Sequence, residues 1–248
     1  MLPGKEHRKL GLNARHLQWL ALILMLIDHA AYAFFDHDGA AFFCMKCVGR
    51  LAFPIFAFQI AEGCLHTSNL KRYALRLAMF GVLSEIPFNM MHTGMWPLDP
   101  SHQNVMFTLL LGLVSLKALL WACDKSYFHI IAAVAVFSAA YFLADYLKLD
   151  YGGLGVATVV MFGMTKELKG RRLIQILLLG LLNFAMVMKN GSLQMPIQML
   201  AVLAMLPICL YNGARGSKNK ILQYAAYLFY PAHMSVLVIV RYMIAKLF

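Results

Sequence analysis

The side chains best suited to chemistry lie where they are costly to keep. Asp28 and His29 fall in an apolar run at 17–35, Arg50 in one at 41–65, Glu85 in one at 74–91, and Tyr230 and His233 in one at 221–245. A charge at the centre of a bilayer costs roughly 2.5–3.5 kcal/mol on insertion scales, so each is a functional candidate by default. At a helical rise of about 1.5 Å per residue, His29 lies roughly 18 Å from Leu17, His233 roughly 18 Å from Ile221 and Glu85 roughly 17 Å from Ala74. Arg50 is roughly 14 Å from Ala41, which leaves about 16 Å to the far face of a hydrocarbon core about 30 Å thick. Two histidines, an arginine and a carboxylate from four runs therefore share one level. Small residues pack helices at less cost, so the layer reads as a site rather than as local pairs that only hold the bundle together.

Asp28 and His29 are neighbours and point about 100° apart on a helix, so they need separate partners. Asp28 suits Arg50, which leaves His29 to act as a general base. In Gly49-Arg50-Leu51-Ala52-Phe53-Pro54, the proline removes the bond to the Arg50 carbonyl and bends the helix beside the arginine. Tyr230-Pro231-Ala232-His233 kinks the last run in the same way.

Near the other end of the second run, Glu62 and His66 stand at i and i+4, followed by Thr67; an interfacial polar pair is an equal reading. Asn104 and Thr108 repeat that spacing at the outer mouth of the fourth run, and Asp150 and Tyr151 open the sixth. These four either line an outward-facing acceptor site or, for Asn104 and Asp150, cap helices. Cys44 and Cys47 have CxxC spacing, but no second pair or histidine cluster completes a tetrahedral zinc site. They are read as small packing residues, and no metal is expected.

The elements that must position these groups follow from composition. Of 248 residues, 61% are apolar and 13% charged, against about half and a quarter in soluble chains. The apolar residues fall in runs of roughly 17 to 25, the length that crosses a bilayer as helix. Nine runs are predicted: 17–35, 41–65, 74–91, 104–122, 128–145, 151–164, 173–188, 195–211 and 221–245. The sixth is short and is expected to be tilted into a thin region, extended at one end, or re-entrant. The expected fold is all-α, a polytopic membrane helix bundle of about nine transmembrane helices.

A net charge of +11 invites a nucleic-acid partner, but the placement of the charges argues for a lipid bilayer instead. With the N-terminus inside, the inner segments hold Lys5, Arg8, Lys9, Arg15, Lys71, Arg72, Arg76, Lys125, Lys166, Lys169, Arg171, Arg172, Arg215, Lys218 and Lys220. The outer side holds only Lys148, Lys189, Arg241 and Lys246. This is the positive-inside pattern, N-inside and C-outside. The basic start and Ala31-Tyr32-Ala33 resemble a signal peptide, but Asp28 and His29 interrupt its apolar core, so an uncleaved first helix fits better. No linker or low-complexity tract divides the chain, so residues 1–248 are expected to be one membrane domain. No internal repeat is evident.

Taken together, Leu20 to His29, Gly49 to Phe56, Ala61-Glu62-Gly63 with His66-Thr67, Asn104 with Phe107-Thr108, Asp150-Tyr151-Gly152 and Tyr230-Pro231-Ala232-His233 resemble the TraX family, in order and over nearly the whole chain. The family's named member acetylates the N-terminus of conjugative pilin. The first two runs also resemble, more distantly, transmembrane acyltransferases such as lysosomal heparan-α-glucosaminide N-acetyltransferase and the bacterial O-acyltransferases of surface glycans.

The resemblance implies a multi-pass enzyme of the bacterial cytoplasmic (inner) membrane that takes acetyl-CoA from the cytoplasm. The acceptor, an amine or hydroxyl on a pilin, glycan, lipid or small molecule, would approach from the other face. His29 would remove the acceptor's proton, with Asp28 and Arg50 fixing the electrostatics. Arg50 or Asn104 would stabilise the oxyanion, a contribution often worth about 2.7–4 kcal/mol per donor. Glu85, Asn104, Thr108, Asp150, Tyr151, Tyr230 and His233 would form the acceptor side. Glu62, His66, Thr67, Lys71, Arg72 and Arg76 would hold the acyl-CoA, the basic residues meeting its phosphates. A transporter or exporter of a small polar solute would use the same mid-bilayer charges as a binding site or proton relay, and a non-catalytic membrane scaffold would need none of them.

Overall fold

The computed structural model describes residues 11–92, 99–189, 197–216 and 219–247. Within them it contains helices and no β-strand, only the isolated bridges Leu12–Tyr211 and Gln103–Leu149. The helices are α1 (Ala14–Phe34), α2 (Ala40–Gly49), α3 (Ala52–His66), α4 (Leu70–His92), α5 (Val105–Ala122), α6 (Tyr127–Tyr146), α7 (Gly152–Met164) and α8 (Arg171–Lys189). A 3₁₀ stretch, Ile197–Ala204, leads into α9 (Met205–Cys209), and α10 (Lys220–Leu247) closes the chain. Lys5, Arg8, Lys9, Lys218, the Lys220 side chain and Met195 at the head of the eighth predicted run lie outside the described residues.

The chain is a multi-pass membrane helical bundle. Six stretches are long and apolar enough to cross a bilayer: α1, α2 with α3, α5, α6, α8 and most of α10. The expectation of about nine crossing helices narrows accordingly. α4 has 23 residues but carries Lys71, Arg72, Arg76 and Glu85, while α7 and the stretch Ile197–Cys209 are shorter. The outward faces carry the lipid signature: Leu173, Leu177 and Leu181 repeat every four residues along α8, each more than 60% exposed.

The second predicted run is not one bent helix. It stops at Gly49 and restarts at Ala52, and Pro54 is the third residue of α3. There its missing N–H is one of those with no intrahelical partner to lose, so proline starts a helix instead of kinking one.

α3 and α7 form the inside. Nine of the 15 residues of α3 and eight of the 13 of α7 are buried, against three of 20 in α6. α7 packs against α3, α5, α6 and α8. At about 20 Å it is shorter than a bilayer core of about 30 Å, but its surroundings are protein, so its length is set by packing. Its first residue follows Tyr151, held at φ +65°. That left-handed conformation costs roughly 1–2 kcal/mol for a side-chain-bearing residue. The Tyr151 ring stacks on Phe53 of α3 at 3.8 Å between centroids and 9° between planes.

α5 and α7 meet through Gly112, where an added Cβ would fall 2.7 Å from the Val159 Cβ. Gly112→Leu should overpack this contact and cost about 1–3 kcal/mol. Thermal unfolding of the purified protein in detergent reads this as a lowered Tm, and an unchanged Tm would contradict the packing described.

Candidate functional site

The site begins with an ion triad. Asp28 on α1 accepts from Lys46 Nζ of α2 at 2.7 Å through Oδ2 and from Arg50 Nη2 at 2.8 Å through Oδ1. All three side chains are under 20% exposed. Gly49 makes the approach possible, since a Cβ there would run into the Asp28 carboxylate. From Arg50 the network continues: Nη1 donates to Gln198 Oε1 at 3.3 Å, and Gln198 Nε2 donates to Asn183 Oδ1 on α8 at 2.7 Å.

With Asp28 turned toward α2, His29 faces α10. Its Nδ1 lies 2.7 Å from His233 Nε2, with ring centroids 5.0 Å apart and planes within 4°. The Tyr230 centroid is 6.4 Å from His29 and that of His92 is 6.2 Å away. His92 is in turn 6.0 Å from His102, whose Nε2 stands 3.8 Å from Asp150 Oδ1. His29 is partly exposed, whereas His233 is 6% exposed.

Glu85 is bound elsewhere. Its Oε1 accepts from the backbone amide of Asn104 at 3.0 Å and, more closely, from that residue's side-chain amide, which also donates to the Gly81 carbonyl at 2.9 Å. Asn104 Oδ1 caps α5 through the Met106 amide at 3.0 Å. Glu85 Oε2 is buried without a hydrogen-bond partner.

Two cavities flank the layer and share no lining residue. The larger, about 810 Å³, lies toward the C-terminal end of α3 and is lined by Arg15, Arg72, Arg76 and Arg215 among others. Along α1 it runs from Ala14 to Met25, about 16 Å of helix. It stops one turn short of His29, with Tyr230 in its wall. The smaller, about 430 Å³, lies at the opposite end of α3 and is lined by Arg50, His102, Asp145, Asp150, Tyr151 and Gln198 among others.

The family model described as TraX protein matches residues 13–241. The chain belongs to the TraX family. A TraX relationship also fits the 29% identity, over 243 residues, with the probable fimbrial assembly protein FimC, serogroup H1, of Dichelobacter nodosus; the match covers 93% of this chain and 96% of that protein. No solved structure matches the chain significantly.

In this TraX chain, Asp28, His29, Arg50 and His233 come together around one point. Asp150 and Tyr151 line the smaller cavity and Tyr230 the larger. Asn104 and Thr108, expected at an outward mouth, line neither: both are fully buried, and Thr108 Oγ1 donates to the Asp150 carbonyl at 2.5 Å. Asn104 has committed its amide to Glu85 and Gly81, which removes it as an oxyanion donor in this arrangement. Glu85 and His233 also line neither cavity.

At the arginine end, Glu62, His66, Thr67, Arg72 and Arg76 line the larger cavity, but Lys71 does not. Lys166 ties this corner together, 3.1 Å from Glu62 Oε1 and 3.0 Å from His66 Nε2. Of the two cysteines read as packing residues, Cys44 is exposed and Cys47 half-buried, so neither is a core packing residue. Among the described residues, no group of three or more His, Cys, Asp or Glu is arranged to hold a metal ion.

The sequence reading missed Lys46, His92, His102 and Gln198. Lys46 carried a signal, since a lysine inside an apolar run needs an anion and Asp28 is the acid inside the preceding apolar run.

Asp28→Asn would leave Lys46 and Arg50 facing each other without their anion. We expect a loss of about 3–5 kcal/mol, the usual cost of breaking a buried pair from one side. Adding Lys46→Met should recover part of it. Denaturant unfolding in detergent measures both, and equal stability of the wild type and Asp28→Asn would contradict the triad's role.

Proposed function

We propose that this protein is an integral membrane acetyltransferase of the bacterial inner membrane, oriented with its N-terminus in the cytoplasm. On this reading acetyl-CoA enters the larger cavity, its phosphates meet Arg15, Arg72, Arg76 and Arg215, and the pantetheine arm carries the thioester up to the layer. The amine or hydroxyl acceptor arrives through the smaller cavity at the opposite end. The observation that carries the reading is an arginine-lined cavity that stops one turn short of His29, a partly exposed residue backed by a buried partner.

His29 serves as general base and Arg50, which lines the smaller cavity, as a charged donor on the acceptor side. The positive-inside pattern of the sequence supports the orientation. The fimbrial role named for the Dichelobacter nodosus relative brings a fimbrial or pilin subunit forward among the acceptors.

The test supplies radiolabelled acetyl-CoA to the purified protein and follows label into components of a cell lysate. Transfer lost in His29→Ala, at least about 100-fold below wild type, is the expected result. Solute flux across liposomes with no acyl donor, and no labelled acetyl in any lysate component, would overturn the reading in favour of a transporter. Arg72→Gln combined with Arg215→Gln should raise KM for acetyl-CoA about tenfold or more with kcat little changed, the signature of lost ground-state binding. An unaltered KM would remove the arginines from the donor site.

A further inference from the structure

His233 Nδ1 lies 2.7 Å from the carbonyl oxygen of Phe229. A carbonyl only accepts, so this nitrogen carries the hydrogen. A neutral imidazole has one N–H, so His233 Nε2 is bare and must accept. Its neighbour at 2.7 Å is His29 Nδ1, which therefore donates. The His29 hydrogen is thus accounted for, and its Nε2 is left with a free electron pair.

Building on the acetyltransferase reading, we propose that His233 is the positioning residue that fixes the tautomer of His29, so that His29 meets the acceptor with a bare Nε2. A carboxylate commonly fills this role beside a catalytic histidine. Here the neighbouring carboxylate is directed elsewhere, its oxygens toward Lys46 and Arg50 while His29 Nδ1 meets His233. His92 does not compete, since its ring lies 6.2 Å from that of His29 between centroids and nearly perpendicular to it. Exposure separates the two roles: His233 is buried and His29 is partly exposed. Packing holds the pair in register, as the Phe229 ring stacks on His233 at 5.0 Å and 14°.

The reaction step balances as follows. The acceptor N–H or O–H gives its proton to His29 Nε2, and the electron pair so released closes on the acetyl carbonyl carbon. The carbon–sulfur bond then breaks, and the departing CoA thiolate takes the proton back from His29. While protonated, His29 directs its Nδ1–H at a neutral imidazole, which stabilises the charge without placing a second anion in the layer.

The experiment uses the full chain in lipid nanodiscs with isotope-labelled histidines. Nitrogen NMR should show a protonated His29 Nδ1 coupled through its hydrogen bond to His233 Nε2, and a bare His29 Nε2. His233→Leu removes the acceptor, and kcat for transfer of radiolabelled acetyl to lysate should fall on the order of 100-fold with KM for acetyl-CoA within about twofold. His233→Gln, whose amide oxygen can accept the same hydrogen, should return kcat to within about tenfold of wild type. A bare Nδ1 on His29, or wild-type kcat in His233→Leu, overturns the proposal. A wild-type protein that shows the coupling but transfers no acetyl overturns the acetyltransferase reading and leaves the tautomer assignment standing.

Discussion

The carboxylate of Asp28 between Lys46 and Arg50 is the interaction on which the arrangement depends. It joins α1 to the break between α2 and α3, inside two stretches apolar enough to cross a bilayer. An ion in such surroundings is tolerated only when its partners are close and its remaining valences are filled. Lys46 and Arg50 meet the first condition, and the run from Arg50 through Gln198 to Asn183 contributes to the second. Because Asp28 is committed to α2, the next residue on α1 is turned about a quarter of the circumference away. The histidine pair is thus a geometric result of an ion pair to which it does not belong.

The break at Gly49 to Ala52 and the short α7 serve the same end. A continuous second helix would satisfy its own backbone and carry Arg50 along a smooth face. Interrupting it brings the arginine and the Gly49 backbone against Asp28. α7 fills the space beside α3 without reaching both surfaces of the membrane. Its Tyr151 holds an unfavourable backbone conformation and stacks on Phe53, immediately beside the smaller cavity.

Much of this was legible in the sequence because charge in an apolar run is conspicuous. Asp28 and Arg50 pair as their chemistry suggests, and the depth estimate for His29 and His233 brings two residues 204 positions apart to one level. For Glu85 a shared level did not mean a shared contact, since depth says nothing about direction around a helix, and Asn104 claimed that carboxylate from the side. Gln198 and Asn183 were invisible for a different reason. Uncharged amides cost too little in an apolar run to stand out, although they extend the network from Arg50. The stretch at 197–209 shows a further limit, because apolar composition does not separate a 3₁₀ winding from an α-helix.

The larger cavity stops one turn short of His29 and the smaller is lined by Arg50, so the paired groups of Asp28, His29, Arg50 and His233 form a polar floor between them. In an energised membrane this has an electrical consequence. Where recesses on either side of such a floor hold water, they carry the potential of the compartment they open to, and the voltage falls mainly across the floor rather than across the full bilayer. A proton or other unit charge passing it would meet close to the whole difference, about 2.3 kcal/mol per 100 mV. Such a floor would act as a dielectric septum as well as a candidate site.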